Sequence, residues 1–160
     1  LKLHMHIMST RPRIVVEFGS GSSTLVIADA LRQNGTGQLI SIEHSDHYGA
    51  LTISWLKHQE LESWVDLRIG KLQSWDHDHL NPPDAEKPSL WYPEPLLCDI
   101  DSVDFIWVDG PPGATCLFSR YPALPTLAKK VSPTAQVWMD DTIREEEQII
   151  CERWAQRLRL

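Results

Sequence analysis

Residues 15–31 read VVEFGSGSSTLVIADAL. An apolar, β-branched run, IVVEF over Ile14–Phe18, reads as a buried strand. Gly19 and Gly21 permit a tight turn and let a ligand come close to the backbone. From Ser22 the apolar residues fall at helical spacing as far as Gln33, with Ser22, Ser23 or Thr24 near the cap. A strand, a glycine turn and a helix N-terminus together make a corner whose free N–H groups suit an anion. Glu17 sits at that corner, where a diphosphate would not want a negative charge.

Working outward, NGTG breaks the helix and QLISIE over Gln38–Glu43 reads as a second strand. A helix is expected over residues 46–61 and a third strand over 64–70, WVDLRIG. Residues 103–110, VDFIWVDG, read as a fourth strand. A helix over 121–131 is expected despite Pro122 and Pro125, which suit a first turn or kink the segment. AQVWMDD over 135–141 is a fifth strand, and an amphipathic helix follows over 143–158, with Ile149, Ile150, Trp154 and Leu158 on one face. Residues 1–13 read as a lead-in. Residues 74–100 are polar and proline-rich and read as a loop or lid.

This alternation predicts one α/β domain over residues 1–160, a doubly wound, mostly parallel, Rossmann-like sheet with strand order 3-2-1-4-5. Ligands in such sheets bind beyond the carboxyl ends of the strands, near the switch point of strand order. Glu17 and Gly19, Glu43, Asp109, and Asp140 with Asp141 fall at or beside successive strand ends.

The 160 residues suffice for one core, and 42% hydrophobic with 23% charged residues is the balance of a globular chain. A net charge of −7 repels phosphate backbones, so no nucleic-acid partner is expected. No apolar run is long enough to span a bilayer, so no membrane partner is expected either. Cys98, Cys116 and Cys151 are scattered and odd in number, and the start shows no secretory signal. Both point to reduced thiols and a cytoplasmic location.

Glu43 lies one strand after the glycine turn, where a carboxylate can accept two hydrogen bonds from a ribose diol. That much suits a nicotinamide dinucleotide. Thr24 replaces the third glycine of the dinucleotide fingerprint, however. Glu17 would also face the pyrophosphate, at about 1–4 kcal/mol for like charges some 4 Å apart. A ligand with a cationic end, a carboxylate and a ribose fits better, and S-adenosylmethionine has all three. Its amino and sulfonium groups can sit towards Glu17, its carboxylate at the N–H groups of Ser22–Thr24, and its ribose at Glu43.

VVEFGSGSST resembles the first motif of class I S-adenosylmethionine-dependent methyltransferases, LISIEH their acidic second motif, and VDFIWVDGPPG their strand-four motif. RYPALPTL and VWMDDTIREEEQIICERW are similar to a bacterial branch of that superfamily whose substrates are mostly undefined. The resemblance covers about residues 13–157. It implies that Glu17, Gly19, Ser20, Gly21 and Thr24 line the methionine part of the cofactor. It also places Glu43 at the ribose, His44 near the adenine, and Gly70, Lys71 and Leu72 along the adenine edge. Many relatives carry an acid at that edge, whereas this chain has GKLQSW. Typical relatives add a carboxyl-terminal hairpin. With the chain stopping at Leu160, that hairpin is expected to be missing or supplied elsewhere, and either a homodimer partner covers the open edge or the molecule is truncated.

Three carboxylates converging from adjacent strand ends, Asp109, Asp140 and Asp141, repel unless a cation or proton intervenes. Oxygen-only ligands favour Mg²⁺. Some O-methyltransferases of the superfamily hold such an ion with aspartates at strands four and five, to acidify the acceptor hydroxyl. The alternative makes Asp141 a helix cap and Asp140 a solvated strand end, with Asp109 acting as general base. WDHDH over residues 75–79 reads as solvated loop or substrate lid, and Trp91 and Tyr92 as covers or core. The activity expected is methyl transfer to a small molecule, most plausibly to a hydroxyl oxygen. A nicotinamide-dependent oxidoreductase and a non-catalytic cofactor-binding module are the alternatives.

Overall fold

The computed structural model describes residues 2–158. The chain runs α1 (Lys2–Thr10), β1 (Ile14–Phe18), α2 (Ser22–Asn34), β2 (Gln38–Glu43), α3 (Asp46–His58) and β3 (Val65–Ile69). It continues β4 (Gln73–Ser74), β5 (Leu90–Trp91), β6 (Val103–Val108), α4 (Ala123–Leu127), β7 (Val131–Met139) and α5 (Glu145–Leu158). Five strands form one parallel sheet in the order β3-β2-β1-β6-β7, the expected Rossmann-like order with β6 and β7 as strands four and five. The order reverses between β1 and β6, so the crevice lies beyond Phe18 and Val108, which are paired. No helix among the described residues is long and apolar enough to cross a membrane.

Alternation along β1 splits the core into two layers. Val15 packs with Ile27 and Leu31 of α2, Leu39, Phe105 and Ile7 on one face. Val16 and Phe18 pack on the other with Ile42, Ile106, Val108, Leu124 and Trp154. α2 starts where Thr24 Oγ1 accepts from the Gly21 N–H at 2.9 Å, and ends at Gly35 in the left-handed region.

Four segments differ from the sequence expectation. The lead-in is a helix, α1, whose Leu3, Ile7 and Met8 form one apolar stripe against the α2 layer. Asn34 seals that contact by donating to the Ile7 carbonyl at 2.9 Å. Residues 74–100 are a core element as well as a loop. They add the antiparallel pair β4–β5 and bury Trp75, Trp91, Tyr92, Leu97 and Ile100 on the sheet face where a crossover helix would lie. Their abundant polar residues hide these few large anchors. The helix expected over 121–131 shrinks to α4 because β7 already begins at Val131. Pro133, which has no N–H, falls where the β6–β7 register shifts, a place a proline can occupy on an edge strand. The last helix begins at Glu145, leaving Ile143 92% exposed. Glu147, Ile150 and Trp154 form its buried stripe, whereas the side chain of Leu158 lies outside the described residues.

Candidate active site

The turns after β1 and β6 lie back to back. Gly19 has φ +89°, and a Cβ on it would stand 2.9 Å from the Gly110 nitrogen. A Cβ on Gly110 would meet the Tyr92 hydroxyl at 2.6 Å and Gly19 Cα at 2.9 Å. Both glycines are therefore required by close backbone approach.

Glu43 ends β2 beside this contact. Its Oε2 accepts from the N–H and the hydroxyl of Ser20, each at 2.9 Å, and its Oε1 from the N–H groups of His44 and Ser45, each at 2.8 Å. Burial alone would raise the carboxyl, but the neighbouring His44 side chain and then the Ser45 and Ser20 donors outweigh it and hold Glu43 down at about 2. Glu43 is thus a fixed negative charge bound to the glycine turn. His44 Nδ1 lies 3.1 Å from Oε1 but outside hydrogen-bond alignment. Gly70 donates to the Glu43 carbonyl at 2.9 Å, which brings the turn after β3 alongside. Lys71 there is exposed, and Leu72 packs into the core.

Glu17 is placed differently from the expectation that it meets a ligand's cation. It shares the face of Val15, towards α2, and is fully buried. Ser23 donates to its Oε1, and Thr24 and Ser41 donate to its Oε2, all at 2.6 Å. Glu17 and Thr24 therefore clamp the glycine turn from beneath. Burial lifts Glu17 to about 7 in spite of the three hydroxyl donors, and the charge of Asp109 adds to the rise. Of its partners, Ser23 was expected only near the helix cap, and Ser41 carried no signal of its own in the sequence.

Asp109, Asp140 and Asp141 do not converge on a metal-sized space. Asp140 is exposed, and its Oδ1 accepts from the Asp141 N–H at 2.8 Å. Arg120 lies between the other two: its Nη2 is 3.3 Å from Asp109 Oδ1 and 3.1 Å from Asp141 Oδ2. Among the described residues no group of three His, Cys, Asp or Glu side chains is arranged to hold a metal ion. The donor set does not fit Mg²⁺, because a guanidinium already occupies the space between Asp109 and Asp141. Nor does Asp141 cap α5: its side chain turns to Arg120 and to Arg144, the latter at 2.9 Å. Burial and then Asp140 raise Asp109 to about 6, with Arg120 opposing. Asp109 opens onto a cleft of about 720 Å³ lined also by Pro112, Gly113, Arg120 and Asp141.

The WDHDH segment is tied down by Trp75 Nε1, which donates to the Asp78 carbonyl at 2.9 Å, and by ion pairing of Asp78 with Arg157. Tyr92 is almost wholly buried, tilted against Phe18 with ring centroids 5.5 Å apart. Burial, then Glu43 and Glu17, push its phenol well above the ordinary value, and its hydroxyl has no partner among the described residues. An orphaned buried hydroxyl costs about 1–3 kcal/mol. Tyr92→Phe is therefore expected to stabilise the unliganded protein by about 1 kcal/mol in urea unfolding. A lower midpoint instead would reveal a hydroxyl contact that the fold needs.

A family model described as a methyltransferase domain matches residues 16–142. No curated protein matches the chain. Among solved structures, an O-methyltransferase from Bacillus cereus in complex with SAH is similar at 20% identity and a TM-score of 0.66, covering 92% of this chain and 58% of that one. An O-methyltransferase of tomaymycin synthesis from Streptomyces achromogenes, in complex with SAM, is similar at 19% identity and a TM-score of 0.63, over 98% of this chain and 66% of that one. An SAH-bound methyltransferase from Podospora anserina matches at 17% identity and a TM-score of 0.63, over 87% and 50%. The chain thus spans about half to two thirds of the length of these three structures.

Proposed function

The chain belongs to the methyltransferase-domain family, and from that premise we propose that it binds S-adenosylmethionine at the β1–β2–β6 ends and methylates a hydroxyl oxygen of a small molecule. The observation that carries this reading is Glu43, a fixed carboxylate bonded at 2.9 Å to the Ser20 turn. The residues suit the cofactor on three counts. The Gly19–Gly110 contact leaves bare backbone where a Cβ would intrude. Glu43 closes β2 where such a fold meets a ribose diol, and of its four donors the Ser20 hydroxyl can rotate away to free a lone pair for one. The Tyr92 hydroxyl is buried beside Gly110 without a partner among the described residues. Glu43 and Asp109 also surround the crevice with negative charge, which favours a cation over a diphosphate.

When bound, the cofactor supplies an electrophilic methyl group on a sulfonium. The chain's own contribution is to place the acceptor and take its proton. Asp109, with a carboxyl near 6, is mostly ionised at neutral pH and opens onto the neighbouring cleft, where it can accept the hydroxyl proton. The same cleft would hold the acceptor beside Asp109, and positioning of that kind supplies much of the acceleration in such reactions. That two similar structures are O-methyltransferases supports oxygen as the acceptor atom.

Calorimetric titration of S-adenosylhomocysteine and NAD into the protein tests this reading. The first is expected to bind and the second not, and Glu43→Ala to weaken the first at least tenfold, about 1.4 kcal/mol. Binding of NAD alone would replace the methyltransferase reading with an oxidoreductase. Methyl transfer from labelled S-adenosylmethionine to a panel of hydroxylated metabolites then separates an enzyme from a binding module.

A further inference from the structure

Among the described residues, Arg120 is the only cationic side chain buried at the ends of β6 and β7, at 3% exposure. Its donors are spent on tying these ends together. Nε donates to the Pro111 carbonyl at 3.4 Å, Nη1 to the Asp140 carbonyl at 3.2 Å, and Nη2 to the Asp109 carbonyl at 2.9 Å. The same nitrogens reach three carboxylates: Asp109 at 3.3 Å, Asp141 at 3.1 Å and Glu147 at 3.8 Å. A guanidinium cannot lose its proton in a protein, so this charge is permanent. Two arginines, Arg120 and Arg144, face three acids here. Asp141 is shared by both, Glu147 is buried, and Asp109 has only one long contact and is the most exposed of the three.

We propose, building on the methyl-transfer reading, that Arg120 is the built-in cation of the acceptor site, standing where a divalent ion would have to bind and holding Asp109 at the mouth of the cleft. A hard ion needs oxygen ligands at about 2.0–2.1 Å around an empty centre. Here the centre is filled by a planar cation whose charge would repel the ion. Arg120 is thus a positioning residue: it aims Asp109 and keeps the carboxylate cluster neutral enough to fold without metal. The site works without a divalent ion, and removal of the guanidinium turns it into one that takes such an ion.

Manganese titration followed by electron paramagnetic resonance, on the full chain, reads this directly. Wild type is expected to leave the free Mn²⁺ signal unchanged, and EDTA to leave any methyl transfer unchanged. Arg120→Gln and Arg120→Ala are expected to bind Mn²⁺ at least tenfold more tightly than wild type. That gain is expected to vanish with Asp141→Asn added, and free guanidinium ion to compete with Mn²⁺ in the alanine variant. Arg120→Lys, which keeps the charge, is expected to stay without Mn²⁺. Stoichiometric Mn²⁺ binding by wild type that Asp141→Asn abolishes would overturn the proposal, as would folded Arg120→Gln protein that gains none. If neither neutral variant folds, the wild-type titration alone decides. Titration of S-adenosylhomocysteine in parallel keeps failure of the cofactor reading separate, since wild type can fail there and still give a clear answer with Mn²⁺.

Discussion

Gly19→Ala is expected to lower the stability of the protein by about 2–6 kcal/mol. Two effects add. The left-handed backbone at φ +89° strains an L side chain, at about 1–3 kcal/mol. The new methyl would also stand 2.9, 3.0 and 3.1 Å from Gly110 N, Gly110 Cα and Asp109 C. All three are backbone atoms of the turn after β6, pinned where the Asp109 N–H donates to the Phe18 carbonyl at 2.9 Å. No flexible side chain can yield, so overpacking adds about 1–3 kcal/mol more. A domain of ordinary stability has only about 5–15 kcal/mol to lose. Urea unfolding measures the change. Gly113→Ala is the control, because a Cβ there meets nothing within 4 Å, and it is expected to stay within about 0.5 kcal/mol of wild type. A Gly19→Ala protein as stable as its control would mean that the two turns are not pressed together.

Strands β1 and β2 were legible to the residue because their apolar runs are bounded by glycines and a polar turn, with nothing competing for them. The sheet order followed from strand–helix alternation, since parallel neighbours need crossovers. The parts that were not legible failed for local reasons. The apolar stripe of α1 is only Leu3, Ile7 and Met8 among polar neighbours. The anchors of residues 74–100 are spaced by prolines with no period to read. A parallel sheet told which residues reach the strand ends, and so placed Glu43 and Asp109 correctly. It did not say to which face each side chain turns. For Glu17 the alternation with Val15 held that information: the side chain belongs with α2, beneath the turn. For Arg120 nothing local helped. The clue was indirect, a surplus of acids at two strand ends that required some cation, and the sequence did not distinguish a bound ion from an arginine folded in from the next segment.

The position of Glu17 leads to the second large effect. In the fold its carboxyl titrates near 7, against an ordinary 4.5. A raised value means that the folded state holds the proton more tightly than the unfolded one. Below about pH 4.5 both states are protonated and the contribution of Glu17 is fully present. Between about 4.5 and 7 the unfolded chain has released its proton while the fold retains it, so stability falls as pH rises. Above 7 the loss is complete, at roughly 3 kcal/mol for a fully buried group. Asp109, raised to about 6, slopes the same way, while Glu43, held at about 2, acts at lower pH with the opposite sign. Glu17→Gln removes only the first of these slopes. Comparing the variant with wild type at each pH cancels most of the other two. The glutamine protein is expected to be no more stable than wild type near pH 4.5, where neutral Glu17 already accepts from Ser23, Thr24 and Ser41. It is expected to gain on wild type steadily up to about pH 8, by roughly 3 kcal/mol across the range. Urea midpoints at half-unit steps of pH measure the difference. A flat difference would mean that Glu17 is ionised throughout, with its three hydroxyl donors outweighing burial as the donors to Glu43 do.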